Sequence, residues 1–209
     1  MVIPKEYTDI NGLVTPSICT SEKPADNCVL YTSVAAILNF EIPNYSQLIR
    51  DCYLQSGLVA RWKGNNFDQA AWDDYLGIAC ACIHLGITDI PREILWYGLK
   101  HAFIFNTDNK LEFRDWLGRN LPVWILMWCA AFPMLKALAW LPMWLTQLTF
   151  KPLDFNDTSS IQLQWLFLLA CMECGHVFNP RLAAHQTGIT EAFKIYYSKY
   201  HPFNHLGEI

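Results

Sequence analysis

Two adjacent acids, Asp73 and Asp74, are the residues of this chain best suited to catalysis, with Arg61 and His101 as candidate partners. A pair of carboxylates can supply the acid and the base that cleave a glycosidic bond. Neighbouring positions on a helix point about 100° apart, however, so two consecutive acids do not face each other. The pattern leaves two interpretations open: a glycan-acting site, or a helix-embedded acid that anchors Arg61 or caps a neighbouring loop.

Aromatic side chains close to these acids in sequence would complete a glycan site. Ligand pockets are lined mainly by apolar and aromatic side chains, with a few polar groups that fix orientation. The candidate ligand-binding residues are Trp62, Trp72, Tyr75 and Trp96.

Cys28 is a second candidate, because it follows Asn27 at the predicted start of a helix, where the helix dipole lowers the pKa of a thiol. The segment 26–38 looks like the nucleophile helix of papain-like cysteine peptidases. His101 with Asn106 or Asp115 would then complete the site. No strand-rich half that would carry the histidine follows in the sequence, so the alternative is a small buried side chain.

Two short segments combine cysteine with histidine: Cys80, Cys82 and His84 in the first, and Cys171, Cys174 and His176 in the second. Four thiolate or imidazole ligands bind zinc tetrahedrally, and the second segment has Cys-x-x-Cys spacing. In the first, Cys82 points away from the helix face that the other two share. We predict cysteines that fill the core and no metal or other cofactor; Cys171, Cys174 and His176 are the ligand candidates if a metal is bound.

The amino-acid composition indicates what kinds of partner the protein has. Charged residues make up 16% of the 209 residues and hydrophobic residues 53%, against typical shares of about 25% and 45–50%. So little charge predicts a surface partly covered by partners or by lipid. A net charge of −4, without a run of Lys and Arg, excludes an electrostatic nucleic-acid binder. Residues 1–17 contain no apolar signal core, which predicts a protein made in the cytoplasm, not secreted by a signal peptide, with free thiols.

Periodicity and capping residues predict an all-α fold. Residues 1–25 read as an extended arm, and residues 26–209 as a single helical domain, bundle-like or a partial α/α toroid. The predicted helices span residues 28–40, 45–54, 67–85, 92–101, 110–117, 161–172 and 190–200, with further apolar helices within 120–150.

Residues 120–150 are very apolar, with Lys136 as their only charge and with Pro133 and Pro142 as interruptions. A membrane-spanning helix needs about 20 consecutive apolar residues, and each uninterrupted run here is shorter. We therefore expect two buried helices joined near Lys136. The alternative is a bent span or an interfacial hairpin, with tryptophans at the lipid headgroups. Those tryptophans are Trp124, Trp128, Trp140 and Trp144.

From residue 24 to about residue 125, short motifs occur in an order that resembles a family of uncharacterised tailed-phage proteins encoded among virion and tail genes. The matching residues are Asp26, Asn27, Leu30, Tyr31, Thr32, Gly57, Leu58, Arg61, Asp73, Asp74, Gly77, Tyr97, Gly98, His101, Phe103, Trp116, Gly118, Arg119 and Pro122. The chain departs from that pattern at Cys28 and at Ala71–Trp72. The resemblance implies helical architecture and a phage setting, and it implies no reaction.

Three functions follow as expectations. The first is a virion or tail-associated accessory protein that contacts other virion proteins or further copies of itself. The second is a glycan-acting enzyme or glycan-binding module built on the Asp73–Asp74 helix. The third is a phage protein that contacts a membrane through residues 120–150.

Overall fold

Helices dominate the described part of the chain. The computed structural model describes residue 8 and residues 12–13, 28–63, 70–102, 120–149 and 158–176. Its α-helices are α1 (Cys28–Ile37), α2 (Tyr45–Asp51), α3 (Trp72–Leu85), α4 (Asp89–Lys100), α5 (Leu121–Ala131), α6 (Trp140–Thr149) and α7 (Thr158–Glu173). A 3-10 helix, Pro133–Leu138, joins α5 to α6. The predicted all-α class is confirmed. The predicted helices 110–117 and 190–200 lie outside the described residues, as does most of the predicted N-terminal arm.

A small hairpin is the exception to the helical architecture. Strands β1 (Tyr53–Gln55) and β2 (Leu58–Val59) pair antiparallel. The predicted helix 45–54 is too long, because α2 ends at Asp51 and the chain then enters β1. Gly57 follows the predicted helix 45–54, where a glycine could cap the helix, but it lies between the two strands. Its φ of 82° serves the tight turn of the hairpin instead, a conformation that glycine adopts without steric cost.

Helix α3 lies at the centre of the described fold, in contact with α1, α4, α5 and α7. Its closest neighbour is α1, and Gly77 explains the short distance between them. A Cβ atom at Gly77 would lie 2.8 Å from Leu30 Cδ1 and 3.2 Å from Ser33 Cβ. Gly86 ends α3 in the left-handed conformation, with φ of 68°, as expected of a glycine after the last helical turn.

Helix α5 is apolar on every side, and it is correspondingly buried between α3, α4 and α6. It ends at Phe132, whose extended backbone is the conformation favoured before a proline, here Pro133. Arg92 of α4 donates a hydrogen bond from Nε to the carbonyl oxygen of Ala131 at 3.2 Å, and its guanidinium lies over the Phe132 ring. A cation at the C-terminal end of a helix is favourable, so these contacts of Arg92 stabilise the packing of α4 against α5.

Candidate functional site

Asp74 is completely buried, and both of its carboxylate oxygens accept hydrogen bonds from backbone N–H groups. The N–H of Ala71, at the start of α3, donates to Oδ2 at 2.9 Å. The N–H of Leu30, in the first turn of α1, donates to Oδ1 at 3.2 Å. Since the first N–H groups of a helix lack partners within it, one carboxylate here caps two helices.

Burial raises the pKa of Asp74 well above its usual range, and the neighbouring charge of Asp73 raises it further. The two capping N–H groups and the positive charge of Arg61 act in the opposite direction. Asp73 accepts a hydrogen bond at Oδ1 from the N–H of Asp74, 3.1 Å away. Asp73, Asp74 and Arg61 are therefore neighbours, in an arrangement that holds α1 and α3 together.

His101 lies at the C-terminal end of α4, where it is exposed. Its ring stacks on that of Tyr97, with 4.1 Å between the ring centroids. His101 therefore stacks on an aromatic residue of its own helix.

The four aromatic candidates have different environments. Tyr75 is buried, and its hydroxyl oxygen accepts a hydrogen bond from the N–H of Val59 at 3.0 Å, which ties α3 to β2. Trp62 and Trp72 are partly buried against the core. Trp96 alone is largely exposed, with the ammonium group of Lys100 lying 5.1 Å from its ring centroid. Of the four, only Trp96 offers a ring to an external ligand.

Cys28 is fully buried at the first residue of α1. A nucleophile must be reached by its substrate, and this thiol is enclosed by the core. Of the partners that a peptidase site would require, His101 stacks on Tyr97, while Asn106 and Asp115 lie outside the described residues.

The two Cys/His segments lie against each other where α3 packs on α7. The Cys80 thiol donates a hydrogen bond to the carbonyl oxygen of Leu166 at 3.3 Å. His84 joins three elements, because its Nδ1 lies 2.7 Å from Glu173 Oε1 and its Nε2 lies 3.2 Å from Asn39 Oδ1. Within the described ranges, no three His, Cys, Asp or Glu side chains are grouped as a metal site requires.

Three side chains hold the 3-10 helix by its carbonyl oxygens. The Cys129 thiol donates to Leu135 O at 3.2 Å, and the Cys171 thiol donates to Ala139 O at 2.9 Å, at the junction with α6. His176 Nε2 lies 3.0 Å from Lys136 O. Burial raises the pKa of both thiols to about 12, so they stay protonated and able to donate near neutral pH.

The apolar segment 120–149 is buried along α5, but several of its described side chains from the 3-10 helix onward are exposed. Trp124 is buried in α5, whereas Trp140 and Trp144 of α6 are exposed by 47% and 49%. The expectation of two buried helices is therefore correct for α5 and wrong for Trp140 and Trp144 of α6, a helix that contacts α5 and α7. No described helix combines the length and the apolar character needed to cross a bilayer.

Several exposed apolar side chains belong to the 3-10 helix, to α6 and to the end of α7. Met134 is 86% exposed, and the remainder are exposed by 44–49%. Met172 is exposed near the end of α7, next to Cys171, whose thiol bonds to Ala139 O at that junction. We call this group the Trp140 surface: Met134, Leu138, Trp140, Trp144 and Met172.

Asp74 and Cys28 are thus buried parts of the fold, and the Trp140 surface is the candidate functional site. The sequence predicted Trp140 and Trp144 as possible membrane-contacting residues, together with Trp124 and Trp128, but it did not indicate which of the four are exposed. Met134, Leu138 and Met172 carried no signal of their own. Comparison of the chain with protein-family models, with curated proteins and with solved structures gave no match.

Proposed function

We propose that this protein is an accessory component of a tailed-phage virion or tail, and that it acts through protein–protein contacts made by the Trp140 surface. The observation that carries the proposal is the exposure of Met134, Trp140 and Trp144 within one short segment, residues 134–144. Tryptophan and methionine are enriched in protein interfaces, where tryptophan often dominates the binding energy. The phage setting is supported by the order of the sequence motifs alone.

The hydrogen bonds that hold the 3-10 helix in place favour a role of the Trp140 surface in recognition. Cys129, Cys171 and His176 bond to three carbonyl oxygens of the segment that bears Met134 and Leu138. A surface that is already ordered loses less conformational entropy on binding, and this increases affinity for a given contact area.

Membrane contact through the same surface is the second candidate, because exposed tryptophans also favour the headgroup region of a bilayer. Helices that lie in a membrane interface usually carry many Lys and Arg on the polar side. Between residues 133 and 149 Lys136 is the only charged residue. Protein contact therefore has the better support.

A glycan-acting function has less support than either. Asp74 is buried, and its two oxygens accept hydrogen bonds from the N–H groups of Ala71 and Leu30, so it caps α3 and α1. A glycan site would have to work without this acid.

Mass spectrometry of gradient-purified particles, from a host infected with a phage encoding this chain, tests the proposal. We expect the chain in particles at a fixed ratio to the other virion proteins, and we expect Trp144→Glu to remove it from particles while the variant still folds. Trp96→Glu, which changes an exposed tryptophan on α4, is the control and should be incorporated normally. A chain found only in the soluble lysate would reject the proposal.

A further inference from the structure

We infer that Cys171 and Cys174 form a redox-sensitive pair, and that a disulfide between them removes a hydrogen bond that holds the Trp140 surface in place. The inference adds regulation to the proposed function, and it rests on that function for the role of the surface. Both cysteines are free thiols at the C-terminal end of α7.

The way in which α7 ends fixes the distance between the two cysteines. The N–H of Gly175 donates to the carbonyl oxygen of Met172 at 2.8 Å. The N–H of His176 donates to the carbonyl oxygen of Cys171 at 3.1 Å. With Gly175 at a positive φ of 79°, these bonds form a Schellman motif, which places Cys171 and Cys174 in the last helical turn. Residues three apart in a helix have Cα atoms about 5 Å apart, within the range that a disulfide bridges.

Cys174 is the member of the pair that an oxidant reaches first. Of the seven cysteines in the described part of the chain, six are buried and Cys174 is partly exposed. Burial raises the pKa of its thiol, and the positive charge of Lys136 acts in the opposite direction. Cys171 is completely buried, and its pKa is raised by burial and then by the nearby Cys174. A small oxidant therefore reacts at Cys174, and Cys171 completes the disulfide.

Cys129 is a second thiol near Cys174, because Cys174 adds to the effect of burial in raising the pKa of Cys129. It lies on α5, whereas the main described contacts of α7 are with α3 and α6. A disulfide between Cys129 and Cys174 would have to join two separate helices. The bond between Cys171 and Cys174 stays within one turn, which is why we choose this pair.

With glutathione disulfide as the oxidant, the reaction consists of two thiol–disulfide exchanges. The Cys174 thiol loses its proton to solvent, and the thiolate attacks one sulfur of glutathione disulfide. This step forms a mixed disulfide and releases one glutathione. The Cys171 thiol then loses its proton and attacks the Cys174 sulfur, which releases the second glutathione. Two electrons pass from the cysteine sulfurs to glutathione disulfide, and the two protons are taken up by the two glutathione thiolates.

The disulfide removes the hydrogen that the Cys171 thiol donates to the carbonyl oxygen of Ala139. Ala139 is completely buried and directly precedes Trp140, the first residue of α6. Its carbonyl oxygen thus loses this donor at the junction between the 3-10 helix and α6. Oxidation therefore loosens the start of α6, and with it the arrangement of the Trp140 surface.

The same hydrogen bond favours the reduced form of the pair, since it exists only while Cys171 carries its hydrogen. Disulfides that are exposed or strained are reduced more readily than the structural disulfides of secreted proteins. We therefore expect two thiols in a glutathione buffer as reducing as the cytoplasm, and a disulfide in a more oxidising one.

Treatment of the purified full chain with glutathione disulfide, followed by alkylation of the remaining thiols and mass spectrometry, tests the inference. We expect one disulfide, between Cys171 and Cys174, that excess reduced glutathione reverses. Cys174→Ser should abolish it. Cys82→Ala, which removes a buried thiol on α3, is the matched control and should leave the disulfide unchanged. Far-ultraviolet circular dichroism verifies that each variant folds.

Hydrogen–deuterium exchange of the two forms tests the effect on the surface. In the oxidised wild type, we expect the amides of the 3-10 helix and of the first turn of α6 to exchange about fivefold faster, the factor that corresponds to one lost hydrogen bond. Cys174→Ser, treated with glutathione disulfide in the same way, should show no change.

Thiols that stay reduced in the folded chain, or a disulfide between Cys174 and Cys129, would overturn the inference. So would a disulfide between Cys171 and Cys174 that leaves amide exchange in the 3-10 helix and α6 unchanged. The two proposals fail separately. A chain that forms the disulfide but is absent from particles rejects the proposed function alone, and a chain that is incorporated into particles but forms no disulfide rejects the redox pair alone.

Discussion

The N–H of Leu30 and the Oδ1 atom of Asp74 lie 3.2 Å apart, and they join the first turns of two helices that are 44 residues apart in the chain. The other oxygen of the same carboxylate accepts the N–H of Ala71. Asp74 is thus a structural acid, and its removal is expected to affect folding directly.

Replacing Asp74 should destabilise the protein in proportion to the backbone N–H groups left without an acceptor. Asp74→Asn keeps one acceptor oxygen, so we expect a loss of about 1–3 kcal/mol in the free energy of unfolding. Asp74→Ala leaves both N–H groups buried without a partner and should cost roughly 3 kcal/mol or more. Urea unfolding measures both. Asp73→Asn is the control, and a loss as large as that of Asp74→Asn would contradict the capping role.

The pH dependence of stability should reflect the same carboxylate. Because burial raises the pKa of Asp74 in the folded state, the folded protein holds a proton that the unfolded chain, with a pKa of about 3.9, has released. The free energy of unfolding then falls as pH rises from about 4 through the folded-state pKa. We expect the wild type to lose stability relative to Asp74→Asn over this range, as measured by urea unfolding between pH 4 and pH 8. A relative gain would mean that the capping N–H groups outweigh burial.

Gly57 should tolerate no side chain, because a Cβ there would lie 2.2 Å from the carbonyl oxygen of Glu93. Gly86 has a similar positive φ but open space around it. Gly86→Ala should therefore cost only the backbone strain, about 1–2 kcal/mol, whereas Gly57→Ala adds a steric clash with α4 of about 1–3 kcal/mol or more. Thermal and urea denaturation of the two variants would show this difference, and equal losses would argue against the close contact of the hairpin with α4.

We expect the Cys171 thiol to hold the Trp140 surface in place, because it donates a hydrogen bond to the carbonyl oxygen of Ala139, the residue before Trp140. We expect Cys171→Ala to lower the free energy of unfolding by about 1–2 kcal/mol, since it removes a buried donor and leaves a small cavity, and to reduce incorporation into particles as well. Cys171→Ser keeps a donor and should have a smaller effect on incorporation. Cys82→Ala, which removes a buried thiol on α3 instead of α7, is the control. Reduced stability with unchanged incorporation of Cys171→Ala would show that the thiol supports the core alone.

Much of the fold could be predicted from local signals. The left-handed cap at Gly86, the proline in the first turn of α4 and the apolar periodicity of α3 depend on neighbours in sequence, so they identify helices directly. The hairpin at residues 53–59 was missed because Gly57 has the same positive φ in a hairpin turn as in a helix cap. What distinguishes the two is its contact with Glu93 of α4, which is distant in sequence.

The candidate site was harder to predict, for a related reason. Trp124 and Trp128 of α5 have the same spacing as Trp140 and Trp144 of α6. Trp124 is enclosed because α3, α4 and α6 surround α5, whereas Trp140 and Trp144 of α6 are exposed, and the main described contacts of that helix are with α5 and α7. The acidic pair predicted a catalytic site where Asp74 in fact caps two helices, because residue type alone does not distinguish a catalytic carboxylate from a capping one.

The attachment of the 3-10 helix has a consequence for biosynthesis. Its carbonyl oxygens are held by Cys129 on one side and by Cys171 and His176 on the other. The last two belong to a stretch that leaves the ribosome after the tryptophans themselves. A nascent chain therefore carries Trp140 and Trp144 before it can fix their arrangement, and we expect the surface to become competent for binding only once residue 176 has left the ribosome.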